Sequence, residues 1–340
     1  MSDILRFGII GYGKMGRIRH DALARIEGCE VAVVCERAPV EDIPEEALFT
    51  TDPMKVIADP MLDAIVVCTS NDVMRDFVVA GLDAGKHVFC EKPPGRDMTE
   101  LGEMVAAEAA HPGAKLMFGF NHRHHESMIK AKELIESGEY GELLWMRGRY
   151  GKSVDEDFFS TWRAKREIAG GGILLDQGIH MLDLFLMMAG DFDTVQAHVS
   201  NLYWNLDIED NVFAIYSNAK GQCASLHSTM TQWRHIFSLE VFLSRGYIAI
   251  NGLKTSSNSY GDEVMSVAKN RSAPPAASWT DEEKLVYHVD TSWDREIGMF
   301  VDCIRTGAPV PVGNSEDARK VLRLVEATYE AGRMTKTVNA

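Results

Sequence analysis

The chain contains no basic run, no low-complexity tract and no internal repeat. Its formal net charge is −15 over 340 residues. Such a surface repels phosphate backbones and anionic membranes, so nucleic-acid binding is a poor reading and no membrane partner is expected. Cysteine is scarce: Cys29, Cys35, Cys68, Cys90, Cys223 and Cys303 are scattered, with neither metal-site nor redox-motif spacing. Cys35 and Cys68 sit in apolar strand-like runs and Cys90 directly follows one, so they read as small core residues in a reducing compartment. No metal site is expected. The opening MSDILRFGII has no charged leader and no cleavage signal. No apolar stretch comes near the ~20 residues that span a bilayer. A cytoplasmic protein is the expectation by elimination.

Hydrophobic residues make up 46% and charged residues 25%, as in an ordinary globular protein. A chain of this length exceeds one hydrophobic core, so two domains are expected. Residues 4–121 alternate short apolar runs with helical segments. The runs are ILRFGII (4–10), VAVVCE (31–36), AIVVCTS (64–70), HVFCE (87–91) and KLMFGF (115–120). Their continuous Val/Ile character predicts strands buried on both faces, and the intervening helices (72–84, 97–109) predict a parallel sheet.

The pattern changes after Asn121. A helix is predicted near 125–137, ending at Gly138. Period-2 strands then dominate at 143–150, 194–204, 211–217, 222–230, 238–244 and 247–250, as in an antiparallel sheet with one buried face. One helix interrupts them, DQGIHMLDLFLMMAG (176–190). Residues 254–280 read as a long surface excursion, and helices return at 294–306 and 315–331. The expected fold class is α/β. An N-terminal doubly wound domain (1–121) precedes an α+β domain with a large open, mainly antiparallel sheet (122–340), and the 315–331 helix can pack back on the first domain.

Gly11-Tyr12-Gly13-Lys14-Met15-Gly16 fits G-x-G-x-x-G between a strand and a helix. Gly11 permits the tight turn, Gly13 lets backbone approach a pyrophosphate, and Gly16 lets the helix pack closely on the sheet. The helix N-terminus offers oriented N–H groups to phosphate. Glu36, 20 residues after Gly16, can bind ribose hydroxyls and repel the extra phosphate of NADP. This favours NAD. Arg37 beside it keeps NADP open, since arginine can meet a 2′-phosphate.

Lys92, after Glu91 at a strand's carboxyl end, can stabilise a developing alkoxide, although a lone lysine there is more often a surface group. Asp176 and His180 lie four apart and share a helix face, with Asp183 one turn on. A histidine beside a carboxylate is a plausible proton acceptor, or merely a packed pair. Trp162-Arg163 and Asn121-His122-Arg123 are further polar clusters, the latter at the domain junction, where sites and hinges both occur.

Together the glycine loop, Thr69-Ser70-Asn71, Glu91-Lys92-Pro93, FNHR (120–123), Trp162-Arg163 and GGGILLDQGIH resemble the Gfo/Idh/MocA oxidoreductases over essentially the whole chain. The resemblance implies a Rossmann domain plus an open-sheet domain whose outer face forms homodimers or homotetramers. It implies hydride exchange between a nicotinamide and a secondary alcohol or ketone carbon. Lys92, Asp176 and His180 would be the catalytic trio. His180 would act as acid/base, Asp176 would orient it or bind substrate, and Lys92 would polarise the reacting oxygen. Ser70, Asn71, Glu91, Asn121, Trp162 and Arg163 would line the nicotinamide side, with Thr69 beside them. The Lys92–Pro93 bond is often cis in such proteins, and Pro94 replaces a common aliphatic residue. Polarity and strand-end position add Arg123, Tyr150, Lys152, Arg234 and His235 as substrate contacts, and Lys152, Arg163 or Arg234 could meet a diphosphate. The expected function is a sugar or nucleotide-sugar dehydrogenase or ketoreductase. An inositol or free-polyol dehydrogenase is the alternative, and a non-catalytic dinucleotide-sensing regulator ranks lower because Lys92, Asp176 and His180 are all present.

Overall fold

In a computed structural model, residues 4–40, 42–269 and 278–333 are described. The chain divides into two compact units. The first comprises Met1–Asn121, Glu167–Gly170 and Ser292–Arg319, and the second His122–Arg166, Gly171–Thr291 and Lys320–Ala340.

In the first unit, β1 (Leu5–Ile10), α1 (Lys14–Ala24), β2 (Cys29–Cys35), β3 (Leu48–Thr50), α2 (Pro53–Ala58), β4 (Ala64–Val67), α3 (Asn71–Asp83), β5 (His87–Glu91), α4 (Met98–Ala110) and β6 (Leu116–Gly119) follow in order. All strand pairs are parallel, in the order β3-β2-β1-β4-β5-β6. Every residue of β4 and β6 is buried, as both-face coverage by helices requires. Local chemistry sets the helix starts. Asp52 caps α2 with Pro53 at its first position, and Asp97 accepts from the Thr99 and Glu100 amides to start α4. The short β3 and α2 were not legible, because LFT and PMKVIA are too brief for periodicity.

A segment far along the chain completes this core. Ile297, Phe300 and Val301 of α8 (Ser292–Thr306) join Phe7, Ile9, Leu23 and Phe89 in one apolar cluster. Burial pushes the Cys68 and Cys90 thiols well up, which keeps them inert.

The second unit contains α5 (Glu126–Glu136), β7 (Leu143–Ser153), α7 (Ile179–Ala189), β8 (Thr194–Ser200), β9 (Asn211–Ser217), β10 (Cys223–Thr229), β11 (Thr231–Leu243), β12 (Gly246–Asn251), β13 (Glu263–Lys269) and β14 (Glu283–Tyr287). The short α6 (Arg166–Ala169) precedes α7, and α9 (Ser315–Arg333) ends the described chain. The eight strands run β14-β13-β12-β11-β7-β10-β9-β8, antiparallel except for β7 with β10. On one sheet face Trp145, Phe242 and Tyr247 stack across three strands, with ring centroids 4.0 and 5.3 Å apart. Phe213 and Ile215 on β9 are half exposed.

Several expectations need correction. Residues 263–269 are not part of a surface excursion: they form β13, paired on both sides, with Met265 fully buried. Residues 270–277 of that stretch lie outside the described residues. Strand β8 stops at Ser200 rather than 204, because the Asp210 carboxylate accepts from the Leu202, Tyr203 and Trp204 amides and closes a turn there. The segment Arg166–Ala189 is in fact long and apolar enough to cross a membrane by length and composition, but 83% of its apolar window is buried in the protein, as for a core helix.

Candidate functional site

The first unit carries the glycine loop at the carboxyl end of β1. Neighbours β2 and β4 flank β1, so the strand order reverses there, which is where open α/β sheets bind ligands. The three glycines divide the work. Gly11 has φ +93°, and a Cβ on it would stand 2.4 Å from the Cys68 carbonyl oxygen. A Cβ on Gly16 would meet the Gly11 oxygen at 2.2 Å, so α1 can approach the turn only without one. Around Gly13 a Cβ would meet nothing within 4 Å. That open space suits a pyrophosphate more than it suits a packing role. No side chain caps α1 at Gly13, so the first amides of the helix, including those of Lys14 and Met15, remain available to an anion. The residues present fit a dinucleotide.

Not every residue assigned to the cofactor faces it. Tyr12 is buried in the core cluster, its hydroxyl 2.9 Å from His20 Nδ1. Only its backbone can serve the loop. Glu36 follows β2 and remains partly exposed, and the Arg37 guanidinium reaches Ser70 Oγ at 3.3 Å. Glu36, Arg37 and Ser70 therefore gather at adjacent strand ends. Thr69 is half-buried between β4 and α3. Asn71 turns inward and donates to the Ala169 carbonyl, and Asn121 donates to Ser292 Oγ. Their side chains brace this unit.

Glu91 departs furthest from its assigned role. Its carboxylate accepts from Arg19 Nε at 2.7 Å, and Arg19 Nη2 also donates to Glu296 at 2.5 Å. Arg19 and Glu296 have no exposed surface, and Glu91 is 6% exposed. Desolvation raises the Glu296 carboxyl to about 7, against the Arg19 charge that lowers it. The triad ties α1, the end of β5 and α8 together. Lys92, next in the chain, is half-buried at the strand's carboxyl end, and the Lys92–Pro93 bond is cis.

The second unit carries the histidine helix. Three glycines precede it, and neighbouring atoms leave no room for a side chain at the second and third. A Cβ on Gly171 would meet the Tyr329 hydroxyl at 2.3 Å, and one on Gly172 the Glu209 carbonyl at 2.2 Å. The Glu209 carboxylate accepts from the Gly172 and Leu174 amides and from Tyr329. Burial raises the Glu209 carboxyl, while these bonds oppose the rise. The chain then makes a π-helical turn, Leu174–Gly178, before α7. Such turns often mark functional sites, and here one re-aims Asp176 relative to a regular helix.

Asp176 Oδ2 accepts from Lys152 Nζ at 2.6 Å, and Arg163 Nε lies 3.7 Å from Oδ1. The same Arg163 guanidinium stacks on Trp162 at 4.3 Å. Trp162 and Arg163 thus belong to the surroundings of Asp176. His180 is 4% exposed and lies parallel to His122, with centroids 3.8 Å apart and planes 17° off. His122 Nε2 is 2.9 Å from the Tyr150 hydroxyl. Tyr150 packs on Phe237 and Tyr260, and burial pushes its phenol well up, so it stays protonated. Tyr260 in turn reaches Gln177 at 3.4 Å.

Arg123 does not present its charge to a substrate. Its guanidinium grips Asp183 through two bonds of 2.7 and 2.6 Å, and both side chains are buried. Arg234 and His235 sit in an irregular stretch of β11, where pairing with β7 jumps from Thr231 to Ile236. Arg234 is exposed over the Trp233 ring, whereas His235 meets the Tyr260 ring edge-to-face at 4.9 Å. The sequence singled out His122 only within a polar cluster and gave no place to Tyr260, Gln177 or Glu209, which the structure sets around the histidine helix. FNHR signalled His122, but Tyr260 lay in the Ser/Asn/Gly-rich stretch, and Glu209 has no local pattern at all.

Comparison with known proteins identifies the family and the fold. Residues 5–120 match an oxidoreductase family described as an NAD-binding Rossmann fold, and residues 128–249 match the Gfo/Idh/MocA C-terminal domain. Levoglucosan dehydrogenase of Pseudarthrobacter phenanthrenivorans is 30% identical over 58% of this chain and 54% of its own length. Myo-inositol 2-dehydrogenase of Thermotoga maritima is 30% identical over 55% of each. The chain thus matches about half the length of these two relatives. The solved complex of a levoglucosan dehydrogenase with NADH and levoglucosan superposes with a TM-score of 0.84 at 23% identity, covering 97% of each chain, which establishes likeness of fold. The chain belongs to the Gfo/Idh/MocA oxidoreductase family, and its first unit is that family's NAD-binding Rossmann fold.

Proposed function

We propose that this protein is an NAD-dependent dehydrogenase of an uncharged polyhydroxylated substrate, a free sugar, anhydrosugar or cyclitol. One observation carries the substrate class: two of the three cations able to meet a diphosphate, Lys152 and Arg163, are turned to the single carboxylate of Asp176, and the third, Arg234, lies over the Trp233 ring. A phosphorylated ligand would have to displace Asp176, leaving its charge without these partners. A neutral polyol can instead accept from Lys152 and donate to Asp176. The named relatives act on levoglucosan and inositol, which supports the same class.

A nicotinamide held at the glycine loop would supply the acceptor for a hydride from the carbinol carbon. His180 accepts the hydroxyl proton as the carbonyl forms, and returns it in the reverse direction. Asp176 and Lys152 hold the substrate's hydroxyls. Lys92, by its place in the family's motif, stabilises negative charge growing on the reacting oxygen. Glu36 selects NAD by occupying the ribose end of the site with negative charge. The sheet face bearing Trp145, Phe242, Phe213 and Ile215 is the surface proposed for meeting a second copy of the chain. A monomeric mass in light scattering would contradict that assembly.

The test is a panel of myo-inositol, levoglucosan, free hexoses and a UDP-hexose, each with NAD and NADP, followed by reduced-nicotinamide absorbance. Turnover of neutral compounds with NAD is expected. Turnover of the UDP-hexose alone would contradict the proposal.

A further inference from the structure

His122 comes from a 3-10 turn, Asn121–His124, that is fastened to α7. The fastening is Arg123, bound bidentately to Asp183, three residues along α7 from His180. Residues three apart share a helix face, so gripping Asp183 brings the neighbouring His122 ring over His180. The rings lie face to face, 3.8 Å between centroids and 17° from parallel. The far edge of His122 is held in turn by the Tyr150 hydroxyl at 2.9 Å. His122, Tyr150 and His180 are each at most 5% exposed.

The last torsion of a histidine side chain is broad and about twofold, so a buried imidazole is not oriented by its own rotamer. A flat neighbour in contact restricts it to one plane. An acid/base must point its nitrogen at the proton in transit, and small misorientations cost rate without costing binding. We infer that His122 is a positioning residue that fixes the ring plane of His180, and that Tyr150 fixes His122. This rests on the reading of His180 as the acid/base. A positioning role needs only the plane of the His122 ring, so a flat ring without nitrogens should serve it in part.

The experiment compares His122→Leu, His122→Phe, Tyr150→Phe and His180→Ala in the full chain, with the best neutral substrate of the panel and NAD. His122→Leu fills the volume but is not flat. Its kcat should fall about tenfold, with KM for substrate and NAD changed by less than about twofold, because orientation rather than affinity is lost. His122→Phe keeps a flat ring but loses the Tyr150 bond, so its kcat should fall only about threefold, as in Tyr150→Phe. Tyr150→Phe removes one hydroxyl and should lower kcat about threefold at unchanged KM, and it carries the test if the leucine variant does not fold. Wild-type kcat in His122→Leu, or in Tyr150→Phe where that variant carries the test, overturns the inference. Equal losses in His122→Phe and His122→Leu do the same. Retained turnover in His180→Ala overturns both the inference and the reading of His180. Loss in His180→Ala with no loss in His122→Leu overturns the inference alone.

Discussion

The Lys152 ammonium lies 2.6 Å from Asp176 Oδ2, so the one partly exposed carboxylate of the histidine-helix motif carries its counter-ion with it. Lys152 thereby restrains the Asp176 carboxylate, which the proposed function sets toward substrate hydroxyls. Lys152→Met should free the carboxylate and remove a donor to hydroxyls. It should lower kcat/KM for a neutral polyol about tenfold, close to the worth of one charged hydrogen bond. Steady-state kinetics check this, and an unchanged kcat/KM would detach Lys152 and Asp176 from substrate.

The proposed preference for NAD rests on Glu36. Its neighbour Arg37 already leans toward Ser70, so removing the acid leaves a cation beside the ribose end. Glu36→Ala should weaken NAD binding about tenfold and leave NADP binding equal or tighter. Titrating both dinucleotides by fluorescence measures the ratio. A ratio equal to that of the wild type would contradict the assignment.

The Arg19–Glu91–Glu296 triad gives the first unit a pH dependence. The Glu296 carboxyl stands at about 7 in the folded chain, above the 4.5 of a free carboxyl. Below the lower value it is protonated in both states, and its contribution is fully present. Between the two, the folded state holds the proton that the unfolded chain releases, so stability falls as pH rises toward 7. Glu296→Gln mimics the protonated form and should flatten the decline. Urea midpoints at pH 5, 6 and 7 test it. An equally steep decline in the variant would mean that another group is responsible.

Arg123 and Asp183 form a buried pair whose separate loss is costly. Arg123→Met removes the bidentate cation from a buried carboxylate and should destabilise by about 3–5 kcal/mol, whereas Arg123→Met with Asp183→Leu should regain much of it. Chemical unfolding gives both numbers. A double variant as unstable as the single would show that the charges themselves are needed.

Much of this was legible because it is local. The glycine loop and the run from Gly170 to His180 each encode a turn and a helix start within a few residues, and Glu36 stands directly after a strand. What was hidden depends on residues far apart in sequence. Nothing near Glu91 announces that Arg19, 72 positions away, will claim its carboxylate. Nothing near Arg123 announces Asp183. A charged residue in a motif reads as functional until its counter-ion is seen, which is why Glu91 and Arg123 were assigned to ligands. The strand β13 was concealed for another reason: its alternation EVMSVAK is sound, but Ser, Asn and Gly crowd the sequence before it.

The central claim is that the glycine loop binds a dinucleotide while Lys92 and His180 do chemistry. The most direct measurement takes the wild type, Lys92→Met and His180→Ala, and determines NAD affinity by titration and hydride transfer by single-turnover absorbance on the same samples. NAD affinity within about threefold in all three, with hydride transfer reduced at least about a hundredfold in both variants, is the predicted result. Wild-type hydride transfer in either variant would contradict it.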